Sequence, residues 1–517
     1  MSTQSGMDVK EPLDPQLTRF WHETRLRATP GPPPEILESA QPAVGESWLA
    51  ISEVLALGYG ERSGAVITKG KTLMRARTTP SAGALYPFEL LVAFRGETQY
   101  ELYEYDVVGC CLRHAGPVDA AETAALLAGP DAGADEAPPP EAVVAIVGRP
   151  WASMRKYGRR GYLYTHLDGA HAATNITLAA QEAGFRPVTH LRFDRRQAAD
   201  VLGIADRCRE PQTLITLTAP GAPAAAWDGK AANPFAVPIW RHGDGVRPEE
   251  PGDEERAAWR SIQSISAFHH RGDTPRRYGS ARSVVARAAR TAAAEPADAR
   301  PAVRLHSGNG RNATPRPFAD TVLERRSAKG FLPVPVDSAP FGRMLAGLRQ
   351  GAALDSADGP LAQLRLLVRN VDGIEAGAYD YDAEGHALRP VGGDGRTDDA
   401  VVAACMSQAV VRSAAALFVL HSPVGPLLGA RGPQGLAELH YHAAGAAQRL
   451  CVAAAKSAVG ITCLGGFDEG RVAELVCLPD SEEVIYVLAC GVPDETAVKW
   501  DRAPIAYSHG RGPARQS

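Results

Sequence analysis

Lysine is scarce in this chain: of 55 basic residues only eight are lysine, so its surface cations are nearly all arginine and a lysine inside a motif stands out. The eight cysteines (Cys110, Cys111, Cys208, Cys405, Cys451, Cys463, Cys477, Cys490) form no CxxC pair and sit mostly in apolar stretches. That excludes a zinc or disulfide framework and reads as reduced, buried thiols. No apolar run approaches the roughly 20 residues of a membrane span, and the opening MSTQSGMDVKEPLDP lacks the apolar core of a signal peptide. The expected location is the cytoplasm. A net charge of −4 argues against a nucleic-acid or membrane-surface partner. No GxGxxG fingerprint for a bound nicotinamide occurs.

What is present is a globular composition, 45% hydrophobic and 22% charged, in a chain of 517 residues, long enough for several cores. It also contains an internal repeat. YEYDVVGCCLR from Tyr103 matches YDYDAEGHALR from Tyr379, an offset of 276. The same shift sets Leu90-Leu91-Val92 on Leu366-Leu367-Val368, His166 on His442, Gly169 on Gly445 and Gly184 on Gly460. Two copies of one fold are expected, within 1–222 and 297–517, joined by 223–296. The repeat is far longer than a solenoid unit. Short β-branched strands (89–94, 142–148, 213–219, 364–370, 415–421, 484–491) and long helices near 165–184 and 441–460 make each copy α+β. Small residues around most of both helices predict burial on more than one face, as in an intramolecular pseudo-dimer. In the joining segment, 253–270 has a helical pattern, and the arginine-rich 276–294 reads as a solvated positive face before a binding patch.

Three motifs distinguish the copies. TPSAGALYP (79–87) is a small-residue turn entering a strand; such a turn either allows something to approach the main chain or simply turns. Shifted by the offset, Pro80 and Ser81 fall on Ser356 and Ala357. In LERRSAKGF (323–331), Arg325, Ser327 and Lys329 alternate, so an extended chain would aim two cations and a hydroxyl the same way, suited to a phosphate. A solvated helix start with a serine cap is the competing reading. The offset positions in the first copy, Leu49, Ile51 and Glu53, could not grip an anion. Gly465-Gly466 in TCLGGFD could let backbone approach that anion, where the first copy has VTHLRFD (188–194). The third motif, MRKYGRRGY (154–162), holds Lys156-Tyr157, which the offset sets on Gly432-Pro433. Flanking Arg155, Arg159 and Arg160 would lower the lysine pKa, as a proton-transferring group needs; a surface lysine is the alternative.

PSAGALYP, KYGRRGYLYTHLDGAH and ITCLGGFDEGRVAELV, in this order with the YEYD segment, resemble nitroreductase-like flavoproteins, and among them the streptolysin-S-type azoline dehydrogenases. ERRSAKGF resembles the nitroreductase RRSxRxF phosphate motif, with Lys329 in the second arginine's place. The resemblance implies a tandem nitroreductase-like α+β fold binding FMN between the copies. Arg325, Arg326, Ser327, Lys329, Gly465 and Gly466 would hold the phosphate and its surroundings, and Pro80, Ser81, Ala82, Gly83 and Ala84 would line the flavin ring. Lys156 would be the catalytic base, with Tyr157 donating a hydrogen bond or relaying the proton. One FMN per chain is expected, because the second composite site looks dead.

The implied reaction is oxidation of peptide thiazolines or oxazolines to thiazoles or oxazoles, with dioxygen as reoxidant and activity rising with pH as the lysine loses its proton. Implied partners are an azoline-containing precursor peptide and a cyclodehydratase or leader-recognition subunit, the chain itself being a pseudo-dimeric monomer or a dimer of it. Other flavin oxidations on the same scaffold, such as nitroreduction or cyclic-dipeptide oxidation, remain open, as does a non-catalytic scaffold subunit. A metal site on His440 and His442 is disfavoured, since positions two apart diverge on a helix.

Overall fold

The computed structural model describes residues 47–69, 72–107, 111–119, 122–123, 139–205, 207–218, 239–241, 251–260, 300–306, 317–349, 354, 360–395, 397–431 and 434–497. The chain is α+β, built from two modules with matching sheets. The first carries helices α1 (Trp48–Tyr59), α2 (Pro150–Tyr157), α3 (Arg160–Glu182) and α4 (Arg195–Val201). Its strands are β1 (Glu61–Lys69), β2 (Thr72–Arg77), β3 (Phe88–Arg95), β4 (Tyr100–Asp106), β5 (Cys111–Val118), β6 (Ala142–Gly148), β7 (Arg186–His190), β8 (Glu210–Thr218) and β9 (Ile239–Arg241). The second carries α5 (Phe318–Glu324), α6 (Ser338–Ala346), α7 (Asp398–Ala404), α8 (Val424–Arg431), α9 (Gln434–Lys456) and α10 (Glu469–Leu475). Its strands are β10 (Val303–Arg304), β11 (Gln363–Val368), β12 (Gly377–Asp382), β13 (Ala387–Gly392), β14 (Ala416–Ser422), β15 (Gly460–Leu464) and β16 (Glu483–Gly491).

The sheets run β7-β8-β6-β3-β4-β5-β9 and β15-β16-β14-β11-β12-β13-β10, the first six strands of each in the same order; the edge strands differ, β9 pairing parallel with β5 and β10 antiparallel with β13. The central strands β6 and β14 are buried at every position, which explains their nearly unbroken apolar sequences: both faces are covered. The long helices α3 and α9 are buried around most of their circumference and pack on each other, as their small residues predicted. Bulk is limited at the crossing, where a Cβ on Gly445 would lie 3.1 Å from Thr174 Oγ1. A buried polar chain ties the helices together. Gln448 Nε2 donates to Asn175 Oδ1 at 3.0 Å, and its Oε1 meets His171 Nδ1 at 2.9 Å. Asn175 donates on to Gly58 O, and His171 Nε2 meets the Tyr486 hydroxyl at 3.1 Å.

The single offset is corrected by the structure. It holds through the β4–β5 hairpin, whose bulge at Leu102/Tyr103 recurs at Ala378/Tyr379, 276 residues on. Beyond the hairpin the copies are 274 apart: Pro150 and Val424, Arg160 and Gln434, Arg186 and Gly460, and Arg195 and Glu469 begin equivalent elements. Gly184 and Ala458, both left-handed after the long helices, obey the same shift. His166 therefore corresponds to His440, Asp168 to His442, and Lys156-Tyr157 to Ala430-Arg431. Leu49, Ile51 and Glu53 lie inside α1, which packs on α3, so they are no extended counterpart of Arg325–Lys329. Ser356 and Ala357 lie outside the described residues, as does 276–294.

The joining segment is partly built into the first module. β9 pairs with β5, and the helical run starting at 253 docks through a buried ion pair, Arg209 Nη1 to Glu255 Oε1 at 2.8 Å. Ala258 and Trp259 pack on Met154 and Tyr162.

Gln448→Leu should strand Asn175 and His171 without their shared partner, costing about 1–3 kcal/mol. Denaturant unfolding should show one transition at a lower midpoint; an unchanged midpoint would remove the polar chain from any role in joining the copies.

Candidate functional site

The turn between β2 and β3 is held from beneath by one carboxylate. Asp168, fully buried on α3, accepts from the Ser81 hydroxyl at 2.6 Å and from the Ala82 N–H at 3.1 and 3.2 Å. Ser81 Oγ in turn accepts the Tyr86 N–H at 2.8 Å, which closes the turn. Gly83, Ala84 and Tyr86 all have positive φ (62°, 54° and 46°), a costly conformation that these hydrogen bonds impose on the two non-glycine residues. Burial pushes the Asp168 carboxyl up to about 7 against the opposing hydrogen bonds from Ser81 and Ala82. Neither Asp168 nor its role was anticipated, although it sits in the helix stretch THLDGAH. The sequence signal was a lone acid among small, apolar helix residues.

Lys156 and Tyr157 close the other side of this turn. A Cβ on Gly83 would fall 2.3 Å from the Tyr157 hydroxyl and 3.1 Å from Lys156 Nζ. The absence of bulk at Gly83 makes room for the Lys-Tyr pair of the same module. Tyr157 is buried and Lys156 half-buried. The flanking arginines lie in different surroundings. Arg155 is exposed beside Trp151, Arg159 is exposed, and Arg160 reaches across to Glu469 and the Phe467 ring.

The second module meets the turn through Arg325. Buried to 4% exposure, it donates Nε to Thr78 O at 2.8 Å and Nη2 to Arg77 O at 3.3 Å, just before Pro80. Its Nη1 has no hydrogen-bond partner, nor do the buried hydroxyls of Thr78 and Thr79. Buried polar groups are nearly always paired, so these three atoms are candidate contacts for a ligand. Arg62 adds cationic character, donating to Leu323 O at 2.6 Å; burial first, then Arg325 and Arg326, lower its pKa to about 10. Arg62 and Thr78 carry no motif that would have found them, and Thr79 opens the TPSAGALYP motif without having been singled out.

Ser327 forms a parallel bridge with Ile461, and Ala328 N–H donates to Ile461 O at 2.9 Å. The RRSAK segment therefore runs beside β15, which leads directly into Gly465-Gly466, so the structure brings these predicted residues together. Arg326 departs from the expectation: it is exposed and pairs with Glu495 at 3.1 Å, since extended chain turns alternate side chains to opposite sides. Gly465 is clasped by the first module, its carbonyl accepting from the Tyr164 hydroxyl, and a Cβ there would lie 3.2 Å from the Tyr164 ring. Tyr164 meets Tyr157 edge-on at 4.9 Å. One aromatic pair thus spans from Gly83 to Gly465.

The equivalent place on the other side of the pseudo-twofold is differently filled. Arg431 replaces Tyr157, Glu438 replaces Tyr164, His442 replaces Asp168, and Leu191-Arg192 replace Gly465-Gly466. Glu438 is held by Arg431 at 3.0 Å and Arg192 at 3.0 Å, both bonds on a buried carboxylate. His440 and His442 are buried, and burial lowers them to about 4 and about 3, leaving them neutral. Among the described residues no cluster of metal-binding side chains occurs, and no helix is long and apolar enough to cross a membrane.

A model of the Nitroreductase family matches residues 27–218 and 322–492. Among solved structures, a candidate nitroreductase from Anabaena variabilis is 21% identical with a TM-score of 0.66, covering 93% of this chain and 97% of that one. A chain of the E. coli microcin synthetase McbBCD complex with truncated pro-MccB17 bound is 15% identical with a TM-score of 0.29, covering 42% of this chain and 85% of that chain. No curated protein matches.

Because Asp168 has a raised pKa in the fold, its contribution to stability is complete below the ordinary carboxylate range and is lost as pH rises through about 7. The unfolding midpoint of wild type, relative to Asp168→Asn, should therefore fall between about pH 4 and pH 7. A difference that is flat across that window would show the carboxyl to be ordinary.

Proposed function

The chain belongs to the nitroreductase family of flavin-dependent oxidoreductases, and we propose that it works through one FMN per chain, held between its two modules, to oxidise azolines carried on a peptide. The observation that carries the site is the unpaired, buried Arg325 Nη1 beside the unpaired Thr78 and Thr79 hydroxyls. On this reading Arg325, Ser327 and Lys329 hold the phosphate with the Gly465-Gly466 backbone, and the Pro80–Ala84 turn lies along the ring system. Arg326 is not part of the grip.

Bound FMN supplies a two-electron acceptor for hydride. The chain's own contribution is proton handling and placement. Lys156, as a neutral amine beside Gly83, takes the proton from the azoline ring carbon adjacent to the one that loses hydride. The Tyr157 hydroxyl donates to the developing negative charge or relays the proton. Asp168 keeps the turn in its left-handed shape, so Lys156 Nζ and the turn backbone present a fixed face to the substrate. Aromatisation to thiazole or oxazole would drive the reaction, with dioxygen as the terminal electron acceptor. A precursor peptide is then the substrate, and a cyclodehydratase or leader-recognition subunit the natural partner.

The family match supports the broader reading better than this specific one: nitroreduction, or another flavin oxidation such as that of a cyclic dipeptide, on the same scaffold. The Lys-Tyr pair against Gly83 is the feature that favours azolines. The filled counterpart at Arg431–Glu438–Arg192 is the feature that favours a single flavin.

Flavin released from the purified protein should count one FMN per chain, and two would end the single-site reading. Arg325→Gln should weaken FMN retention about 10–100-fold, the worth of a charge-assisted hydrogen bond; unchanged retention would move the phosphate elsewhere. Lys156→Ala should keep that flavin count and lose about 10²–10⁴ in azoline oxidation. Turnover of a nitroarene with NADH, and none of an azoline peptide, would assign the broader reading instead.

A further inference from the structure

Two thiols meet beside the candidate site. The sulfurs of Cys451 on α9 and Cys463 on β15 are 3.8 Å apart, Cys451 buried and Cys463 partly exposed. Their contact belongs to the fold. The residues 274 positions earlier, Thr177 on α3 and Thr189 on β7, also touch, hydroxyl to hydroxyl at 3.3 Å. In both modules the long helix and its next strand bring these two positions together, and the second module fills both with sulfur. β15 continues from Cys463 into Gly465-Gly466, and the charge of Arg325 reaches Cys451.

The polar chain at the helix crossing decides what faces Cys463. Asn175 Nδ2 donates to the Leu57 and Gly58 carbonyls at 3.3 and 2.9 Å, so its Oδ1 is the acceptor for Gln448 Nε2. Gln448 Oε1 can then only accept, which places a proton on His171 Nδ1 and leaves Nε2 of the neutral ring as an acceptor. His171 Nε2 meets the Tyr486 hydroxyl at 3.1 Å, and both side chains hydrogen-bond the Cys463 thiol. A base thus stands beside the more exposed sulfur. Within the pair, the hydrogen bond from Cys463 draws the Cys451 thiol below its ordinary range, opposed by burial and helped by Arg325. Cys463 is correspondingly pushed up and holds the shared proton.

We propose that Cys451 and Cys463 form a redox-modification site, a dithiol that hydrogen peroxide converts into a disulfide joining α9 to β15. Cys463 passes its proton to His171 Nε2 and its sulfur attacks one peroxide oxygen. The O–O bond breaks, and the departing hydroxide recovers that proton and leaves as water. The Cys451 sulfur then displaces the hydroxyl of the Cys463 sulfenic acid, forming the S–S bond, and the hydroxyl leaves with the Cys451 proton as a second water. Two electrons pass from the sulfurs to the peroxide. The sulfurs close from 3.8 Å to about 2.05 Å in the process. This inference does not depend on which substrate the flavin site oxidises.

The test uses the full chain as purified with its flavin, treated with hydrogen peroxide, then denatured in an alkylating reagent and digested. Trypsin cuts after Arg449, Lys456 and Arg471, so the two cysteines fall on separate peptides, LCVAAAK and SAVGITCLGGFDEGR. The expected result is these two peptides joined, lighter than their sum by two hydrogens and separated by dithiothreitol. Recovery of both as alkylated thiols, or of either joined to a different cysteine, overturns the proposal. Cys451→Thr copies the side chain of the first module and should leave Cys463 oxidised to the sulfinic acid, with no partner to form the disulfide. A Cys463 that stays a free thiol in that variant also overturns it. Cys463→Thr serves if the first variant fails to fold: Cys451 should then remain alkylatable after peroxide, and its oxidation would refute the assigned order of attack.

Discussion

The crossing of α3 and α9 sets every other relation in this molecule. Two long helices poor in large side chains can approach closely only if each is buried on several faces, and Gln448, Asn175 and His171 supply the polar pairing that such a crossing must contain. Once the helices cross, the start of each lies against the loop that follows the other copy's long helix and its next strand. Tyr164 therefore meets Gly465, and Gln434 Nε2 donates to Leu191 O at 2.9 Å in the equivalent position. Two composite places are created by one packing event. Neither exists in a single module.

Fusion into one chain freed those two places to diverge, because a substitution now alters only one of them. On one side an aromatic pair, Tyr157 and Tyr164, frames a turn locked by a buried carboxylate. On the other, Arg431 and Glu438 occupy the corresponding positions as a buried ion pair, with Arg192 as a second partner. Desolvating such charges is expensive, and removing one partner costs more than the pair contributes. The ion-paired side is consequently hard to reopen by single substitutions. It remains polar and closed.

The turn illustrates how a short motif can be recognised for an incomplete reason. Small residues at 81–84 signalled close approach, and close approach is what the structure contains. The approaching groups at Gly83 are Lys156 Nζ and the Tyr157 hydroxyl, and the group that holds the turn is Asp168 from beneath. Likewise the RRSAK alternation was legible, and the alternation itself sends Arg326 outward to Glu495.

The central strands β3, β6, β8, β11, β14 and β16, the duplication and the two long helices were legible in the sequence, since hydrophobic period and self-similarity are local properties of the chain; the more polar and shorter strands around them were not. The two-residue slip in offset was not, because it falls between β5 and β6, and the histidines and glycines beyond it recur closely enough to match in the wrong register until the equivalent elements fix the count. Asp168, Thr78 and Arg62 were equally hidden. Their importance lies in what they face: Asp168 meets a turn 86 and 87 residues before it, and Arg325 meets Thr78 across 247 residues. Local chemistry determined which residues could act. Only the packing of one module on the other decided which of them meet.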